Sequence, residues 1–384
     1  MRELEDILTT YDVMKSKGLG CVLATVVHVE GSSYRQAGAR MLVNENGEMT
    51  GAISGGCLEG GALKKALLAL EQGQNKLFTY DTSDEDDAVV GAQLGCNGII
   101  QVLFEPIRFE QPDNPMELLR KVVGKNETMV IITLFNLHKS QYQPGTRMIF
   151  DQNLNLVGDV AGIEYLSVIR ADAGKALSQN TSLFKEYHLS GEIQHVFIEL
   201  CPTPPTLVLV GAGNDAQALS QLATISGWKV TVTDGRSTHA NSQRFQSSCQ
   251  VIVSEPERIL DNIPVDQRTA FVLMTHNYQY DLSVLKLLLN QPEILYIGIL
   301  GPKKKYQRML DELKDQGVQL TREQIAKIYA PVGLDLGAET PAEIGLSILS
   351  EILAVLNNAG TDHLRERINP IHDKSNYAFK VEHV

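Results

Sequence analysis

The residues best placed to do chemistry lie in "GAISGGCLEG", residues 51–60, where glycines surround Cys57 and an amphipathic run, "ALKKALLALEQG", follows at once. A thiol at a glycine-rich helix start sits among free N–H groups and a partial positive charge. Such a setting is expected to raise its reactivity. As a thiolate it would be a soft ligand for a metal–sulfur centre, or a carrier of persulfide sulfur. Gly55 and Gly56 expose backbone N–H groups that suit an anion. A second thiol, Cys96 in "LGCNG", follows a long polar loop, and Arg35 in "GSSYR" and Arg40 are candidate anion contacts. The plainer reading of Cys57 is a small residue in a tight turn.

A second constellation is "GAGNDA", a G-x-G-x-x-A run that follows the apolar stretch "TLVLV" and opens a helix-like segment. Gly211 allows the tight turn, Gly213 lets the backbone approach a pyrophosphate, and Ala216 permits close helix–strand packing. Asp234 ends the next strand, where it accepts from a ribose 2′-hydroxyl and repels a 2′-phosphate; NAD or another adenine nucleotide fits better than NADP. His276, flanked by Thr275 and Asn277, and Gly301, Lys303 and Lys304 fall at later strand ends and would line the same crevice. Helix capping and a solvated first turn are their plainer roles. Thr340, Pro341 and Glu343 read as a capping box with proline at the first helical position. The acidic run "DTSDEDD" reads as a solvated loop.

The elements that must hold these residues fall into two regions. Residues 3–17 have helical periodicity, with Leu4, Ile7, Leu8, Tyr11 and Met14 on one face. "GCVLATVVHV" reads as a strand, "RMLVNENGEMTGAI" as two strands around an Asn-Gly turn, residues 58–72 as a helix, and "KLFTYD" and "IIQVLFEPI" as strands. This scheme recurs. "VIITLFNLHKSQYQPGTRMIFDQNLNLVGDVAG" aligns on "VLATVVHVEGSSYRQAGARMLVNENGEMTGAISG" with one gap, placing Gly145, Arg147, Met148 and Gly158 on Gly38, Arg40, Met41 and Gly51. "GEIQHVFIE" stands beside "GIIQVLFEP". The second copy keeps the strand signals and loses the loop chemistry: "SGGCLEG" becomes "AGIEYLS". A fold that survives without the glycines and the thiol does not need them for folding alone. Arg40, which recurs as Arg147, reads as structural. Paired copies would extend one larger sheet and hide each other's edges.

"CPTPPT" at 201–206 is a proline-rich hinge. Strand and helix then alternate, which predicts a parallel sheet covered on both faces. The expected fold is therefore α/β: an N-terminal α+β domain with a mixed sheet over 1–203, in copies 1–109 and 110–203, then a Rossmann-like doubly wound domain over 204–384. The polar tail from Thr361 is expected to be mobile or to wrap around a second copy of the chain. The default oligomer is a homodimer.

A net charge of -12 argues against nucleic acid as a partner. "MRELEDILTT" lacks the basic-then-apolar pattern of a secretory signal, and no apolar run approaches a membrane span, so a cytoplasmic protein is expected. Five scattered cysteines, with no CxxC or HExxH, argue against a disulfide framework and a zinc site.

Together these stretches resemble the XdhC/CoxI family of accessory proteins for molybdenum hydroxylases such as xanthine dehydrogenase. The resemblance rests on "GSSYRQAGARMLVNENGEMTGAISGGCLEG" and on "LVLVGAGNDAQALSQLATISGWKVTVTDGR", "MTHNYQYD", "YIGILGPKKK" and "PVGLDLGAETPAEIGLSILSEILA". This chain has Tyr34 where the family pattern usually has proline, and Asn97 within the usual Cys-Gly-Gly. The resemblance implies a chaperone that binds molybdenum cofactor (molybdopterin or a dinucleotide form), keeps it sulfurated and delivers it to an apo-hydroxylase, in partnership with a cysteine desulfurase. Because a thiolate is a soft ligand for a molybdenum–sulfur centre, Cys57 and Cys96 are the expected contacts to molybdenum or its sulfur; the resemblance does not establish turnover. The competing readings are an NAD-dependent oxidoreductase acting through Cys57 or His276 and a nucleotide sensor with a scaffold N-terminal half.

Overall fold

The computed structural model describes residues 2–31, 33–81, 98–125, 127–137, 142–161, 163–189, 192–246, 249–366, 368 and 379–383. The chain divides into two compact units, Met1–Thr203 with Leu364–Val384, and Pro204–His363.

The first unit opens with α1 (Arg2–Lys17), which buries Ile7, Leu8, Tyr11 and Met14. Then come β1 (Cys21–Gly31), β2 (Arg40–Asn44), β3 (Met49–Gly51), α2 (Glu59–Gln72), β4 (Lys76–Asp81) and β5 (Gly98–Pro106). The β2–β3 turn closes because the Asn44 side chain accepts from Asn46 N and Glu48 N while Gly47 takes a positive φ of 83°. The scheme repeats as α3 (Pro115–Val122), β6 (Met129–Phe135), β7 (Gly145–Phe150), β8 (Leu156–Gly158), α4 (Leu166–Gln179), β9 (Leu183–Leu189) and β10 (Glu192–Cys201). The first sheet has the order β3-β2-β1-β5-β4 and the second contains β8-β7-β6-β10-β9, the same order strand for strand. Both copies keep the glycine that ends the third strand. A Cβ on Gly51 would lie 2.5 Å from the Arg40 carbonyl oxygen, and one on Gly158 2.3 Å from that of Arg147. Folding alone fixes these two glycines.

The copies form two sheets rather than one larger sheet, because each has two apolar faces to bury. One face of the first sheet packs on α2 through Val22, Ala24, Val26 and Ala62, Ala66, Ala69. One face of the second packs on α4. The remaining faces meet each other through α1 and α3 at one end and through Val27, Leu103, Phe135, Phe184 and Phe197 at the other.

The second unit contains β11 (Thr206–Val210), α5 (Asn214–Ile225), β12 (Lys229–Asp234), β13 (Gln250–Val253), β14 (Thr269–Leu273), α6 (Tyr278–Leu288), β15 (Tyr296–Ile299), α7 (Lys303–Asp315), α8 (Arg322–Ala326), β16 (Ile328–Tyr329) and α9 (Pro341–Leu356). Its sheet is parallel throughout, in the order β13-β12-β11-β14-β15-β16, with an apolar cluster on each face. This is the doubly wound Rossmann order, 3-2-1-4-5-6. The Thr340–Glu343 capping box opens α9, with Pro341 at the first position.

By sequence the tail falls with the second region, but its last strand, β17 (Lys380–His383), pairs in parallel with β9 and makes the second sheet mixed. The first sheet is antiparallel throughout. Phe379 enters the inter-sheet cluster and stacks on His28 at 4.4 Å between ring centroids. That apolar anchor is the physical reason this part of the tail is placed.

Candidate functional site

Strand register gathers the loop residues of the first copy. Gly31 pairs with Gly98, Thr25 with Arg40, Met41 with Gly51, and Asp81 with Ile99. The end of β1, the start of β2, the ends of β3 and β4 and the start of β5 therefore share one end of the sheet. Loops 33–39 and 52–58 leave from it, and α2 begins there.

Ser54 organises the cysteine turn. Its buried hydroxyl accepts from Gly56 N at 3.2 Å and Leu58 N at 3.0 Å and donates to Glu59 Oε2 at 2.5 Å. Glu59 Oε1 accepts from Ser54 N at 2.9 Å. Burial pulls the Glu59 carboxyl up, but the Ser54 hydroxyl and backbone amides outweigh it and hold the group below the usual carboxylate range. A carboxylate thus caps the start of α2, and the Cys57 thiol, half-buried, donates to the Ser54 hydroxyl at 3.5 Å. Gly56 is at φ 108°, which only glycine adopts without strain. Gly55 lies under the Tyr34 ring, whose Cδ1 would be 3.2 Å from an added Cβ.

Arg35 Nη1 donates to Glu3 Oε2 at 3.1 Å, while Glu3 Oε1 accepts from Ala52 N at 3.2 Å, so α1 ties the two loops together. Ser33 Oγ, Arg35 Nε and Tyr80 Oη are buried with no hydrogen-bond partner among the described residues. Burial pushes the Tyr80 phenol up. Cys96 lies outside the described residues, as does the acidic run beyond Asp81. No cluster of three or more metal-type ligands occurs among the described residues.

The backbone of Arg40 starts β2 at this end, but its side chain does not open onto it. It is 2% exposed and points between the sheets, where Nη1 donates to Glu199 Oε1 at 2.9 Å and to the Gly38 carbonyl at 2.9 Å, and Nη2 donates to Glu199 Oε2.

In the second unit, Gly211 has φ 121°, and a Cβ there would strike the Met274 carbonyl oxygen at 2.5 Å. Gly213 precedes α5 and faces open space, and Ala216 is buried against the sheet. Asp234 is engaged internally. Oδ2 accepts from Ala212 N at 2.9 Å and Arg236 Nη2 at 2.8 Å, and Oδ1 accepts from Arg236 N and Nε, each at 2.9 Å. The Arg236 guanidinium and these amides hold the Asp234 carboxyl below its ordinary value against the pull of burial. A ribose hydroxyl can reach this carboxylate only if Arg236 moves off it. His276 is exposed, in a left-handed conformation at φ 58°. Asn277 caps α6 by accepting from Tyr280 N, and Thr275 donates to Asp281 at 2.6 Å. Lys303 and Lys304 are exposed at the start of α7. The inward lysine is Lys305, 2.7 Å from buried Asp281 Oδ2.

Sequence reasoning missed Ser54, Glu59 and Tyr80 in the first unit and Arg236 and Lys305 in the second. Ser54 and Glu59 stand inside the glycine-rich motif itself. Their spacing, from a turn into a first helical turn, is the available signal.

Family models match at both ends of the chain: XdhC and CoxI family over residues 14–81, and XdhC Rossmann domain over 207–352. The chain is 32% identical to a probable xanthine dehydrogenase subunit of Bacillus subtilis over 90% of its own length and 96% of the relative's. It is 25% identical to the molybdenum cofactor insertion chaperone PaoD of Escherichia coli, over 88% of this chain and 84% of the other. The crystal structure of a xanthine dehydrogenase from Bacillus halodurans superimposes with a TM-score of 0.72 at 27% identity, covering 94% of this chain and 97% of that one.

Proposed function

The chain belongs to the XdhC and CoxI family, and from that premise we propose that it is a maturation factor that binds molybdenum cofactor as cargo at the Cys57 end of the first sheet. The cofactor would be kept in its sulfurated form there and handed to a molybdenum hydroxylase such as xanthine dehydrogenase. A cysteine desulfurase as the sulfur source and a homodimeric assembly belong to the same proposal. No helix among the described residues is long and apolar enough to cross a membrane.

One observation carries the reading. The half-buried thiol of Cys57 shares its sheet end with the orphaned donors Ser33 Oγ, Arg35 Nε and Tyr80 Oη. Buried polar groups are rarely left unpaired in the resting protein. Three of them beside a soft thiol suit a polar, anionic, sulfur-bearing ligand. When bound, the cofactor supplies a metal–sulfur centre to which a thiolate has affinity. The chain itself supplies the thiol, held by Ser54, and the amide of Gly55, which has no partner among the described residues. Cys96 is proposed as the second thiol of the same mouth.

The experiment is to purify the full chain from its own host and measure the pterin released by oxidation. Wild type should carry it, and Cys57→Ala should lose most of it. A Cys57→Ala variant that still retains cofactor and fully activates the hydroxylase would remove this role for the thiol.

The glycine turn after β11 favours a second ligand, an adenine nucleotide such as NAD, in the crevice of the second unit. Because Asp234 is saturated by Arg236, binding should be weak in wild type and stronger in Arg236→Ala, read as a thermal shift with NAD. An NAD-dependent oxidoreductase would further require reduced nucleotide to appear during incubation with candidate substrates.

A further inference from the structure

The seam between the two sheets holds one buried glutamate from each copy, and the two are answered differently. Glu199 stands opposite Ile131 on β6, and Glu105 stands opposite Leu23 on β1, equivalent positions in the two copies. Each reaches towards the start of the other copy's second strand. An added Cβ on Gly38 would lie 2.7 Å from Glu199 Oε1, and one on Gly145 2.4 Å from Glu105 Oε1. Glu199 receives the Arg40 guanidinium fork. Glu105 does not receive Arg147. The pairing of β6 with β7 shifts by one residue between Ile132 and Thr133, so Arg147 drops out of register. It turns to Asp159, 2.6 Å away. Thr146 then stands opposite Thr133, where Arg40 stands opposite Thr25.

Glu105 is 1% exposed and accepts from Thr146 N at 2.7 Å and Thr146 Oγ1 at 3.0 Å. It has no ion-pair partner among the described residues. A threonine side chain is much shorter than an arginine, and a cleft of about 520 Å³ lies here, lined by Glu105, Thr146, Asn75, Arg108, Gln143 and Tyr142.

We propose that this cleft binds a small molecule bearing a guanidinium group, whose N–H fork meets Glu105 as Arg40 meets Glu199. The copy-one seam supplies the ligand chemistry, because it shows what a glutamate at this position takes when the register allows it. Two hydrogen bonds from Thr146 leave carboxylate lone pairs for a planar fork. Around the cleft, Arg147 pairs with Asp159, Lys121 pairs with Asp113, and Arg108 donates to the Gly73 carbonyl. Among the described residues Glu105 is thus the carboxylate left without a cation. Tyr142 is 67% exposed and offers an aromatic face to a planar cation. The volume is that of a small-ligand site. Burial pushes the Glu105 carboxyl up to about 7, against the Thr146 hydrogen bonds and the charge of Arg40. A bound cation should therefore expel a proton near neutral pH.

Calorimetric titration of the full chain with agmatine and with L-arginine tests this. Saturable binding of at least one is expected, weakened tenfold or more in Glu105→Gln. Binding should also be lost in Thr146→Arg, where the chain supplies its own guanidinium. Thr146→Arg should keep or raise the melting temperature, which separates a filled site from an unfolded one. Repeating the titration in buffers of different ionisation enthalpy should show proton release on binding. Absence of saturable binding by both compounds, or binding unchanged in Glu105→Gln, would overturn the proposal.

Discussion

The two copies in the first unit share strand order and helix positions, yet they differ at both of the places where chemistry can occur. At the open sheet end, the first copy carries Cys57, Ser54 and Glu59 at the start of α2. In the second copy the corresponding loop has Asp159, which accepts from Ala161 N at 2.9 Å and holds Arg147. At the seam, Arg40 answers Glu199 in one direction, and Thr146 answers Glu105 in the other. The lesson is that topology fixes the positions, and a single bulge decides which side chain fills them.

The largest effect expected from breaking this asymmetry is at Arg40. Arg40→Ala leaves Glu199 buried without its cation and should cost about 3–5 kcal/mol in urea unfolding. Arg147→Ala removes only a partly exposed pair and should cost under about 1 kcal/mol. Equal losses at the two arginines would show the copies to be equivalent after all.

Next comes the pH dependence that the missing arginine creates. Below the ordinary glutamate value of 4.5, Glu105 is protonated in both the folded and unfolded chain and contributes nothing. As pH rises from 4.5 towards about 7, the unfolded chain ionises first, so stability falls across that window and levels above it. Such a shift amounts to about 3 kcal/mol for a fully buried group. Denaturant midpoints between pH 4.5 and 8 should show this decline in wild type, and it should flatten in Glu105→Gln.

Smaller effects separate the two threonines of the paired first strands. Thr133 Oγ1 lies 3.2 Å from Thr146 Oγ1, whereas Thr25 Oγ1, opposite Arg40, is buried with no partner among the described residues. Thr133→Val should cost about 1 kcal/mol. Thr25→Val, which removes an unpaired hydroxyl, should be neutral or slightly stabilising. Thermal melts of the two variants suffice, and the reverse order would sink the assignment of Thr146 to the place of Arg40.

Much of the architecture is legible in the chain because it is local. Periodicity marks α1, the β-branched runs mark the strands, and Thr340-Pro341 with Glu343 marks the start of α9. The repeat is readable too, since strand signals and the turn glycines Gly51 and Gly158 recur at matching places. Other features are illegible for a shared reason: they depend on register and helical phase. Alignment places Arg147 on Arg40, and a one-residue slip sends the two side chains to opposite surroundings. Lys305 rather than Lys303 or Lys304 faces Asp281 because the first turn of α7 rotates it inward. Asp234 does stand at a strand end, but its neighbour Arg236 folds back to occupy it.

The sequence by itself determined the succession of helices and strands within each copy, the parallel sheet of the second unit, and the placing of a thiol at a glycine turn. These follow from short-range pattern and chain connectivity. Only the tertiary structure decided that the two copies stack face to face rather than edge to edge, that Ser54 and Glu59 hold Cys57, and that Glu105 meets Thr146 rather than Arg147. Each of these depends on which distant backbone lies within a few ångströms, and residue spacing along the chain does not encode that.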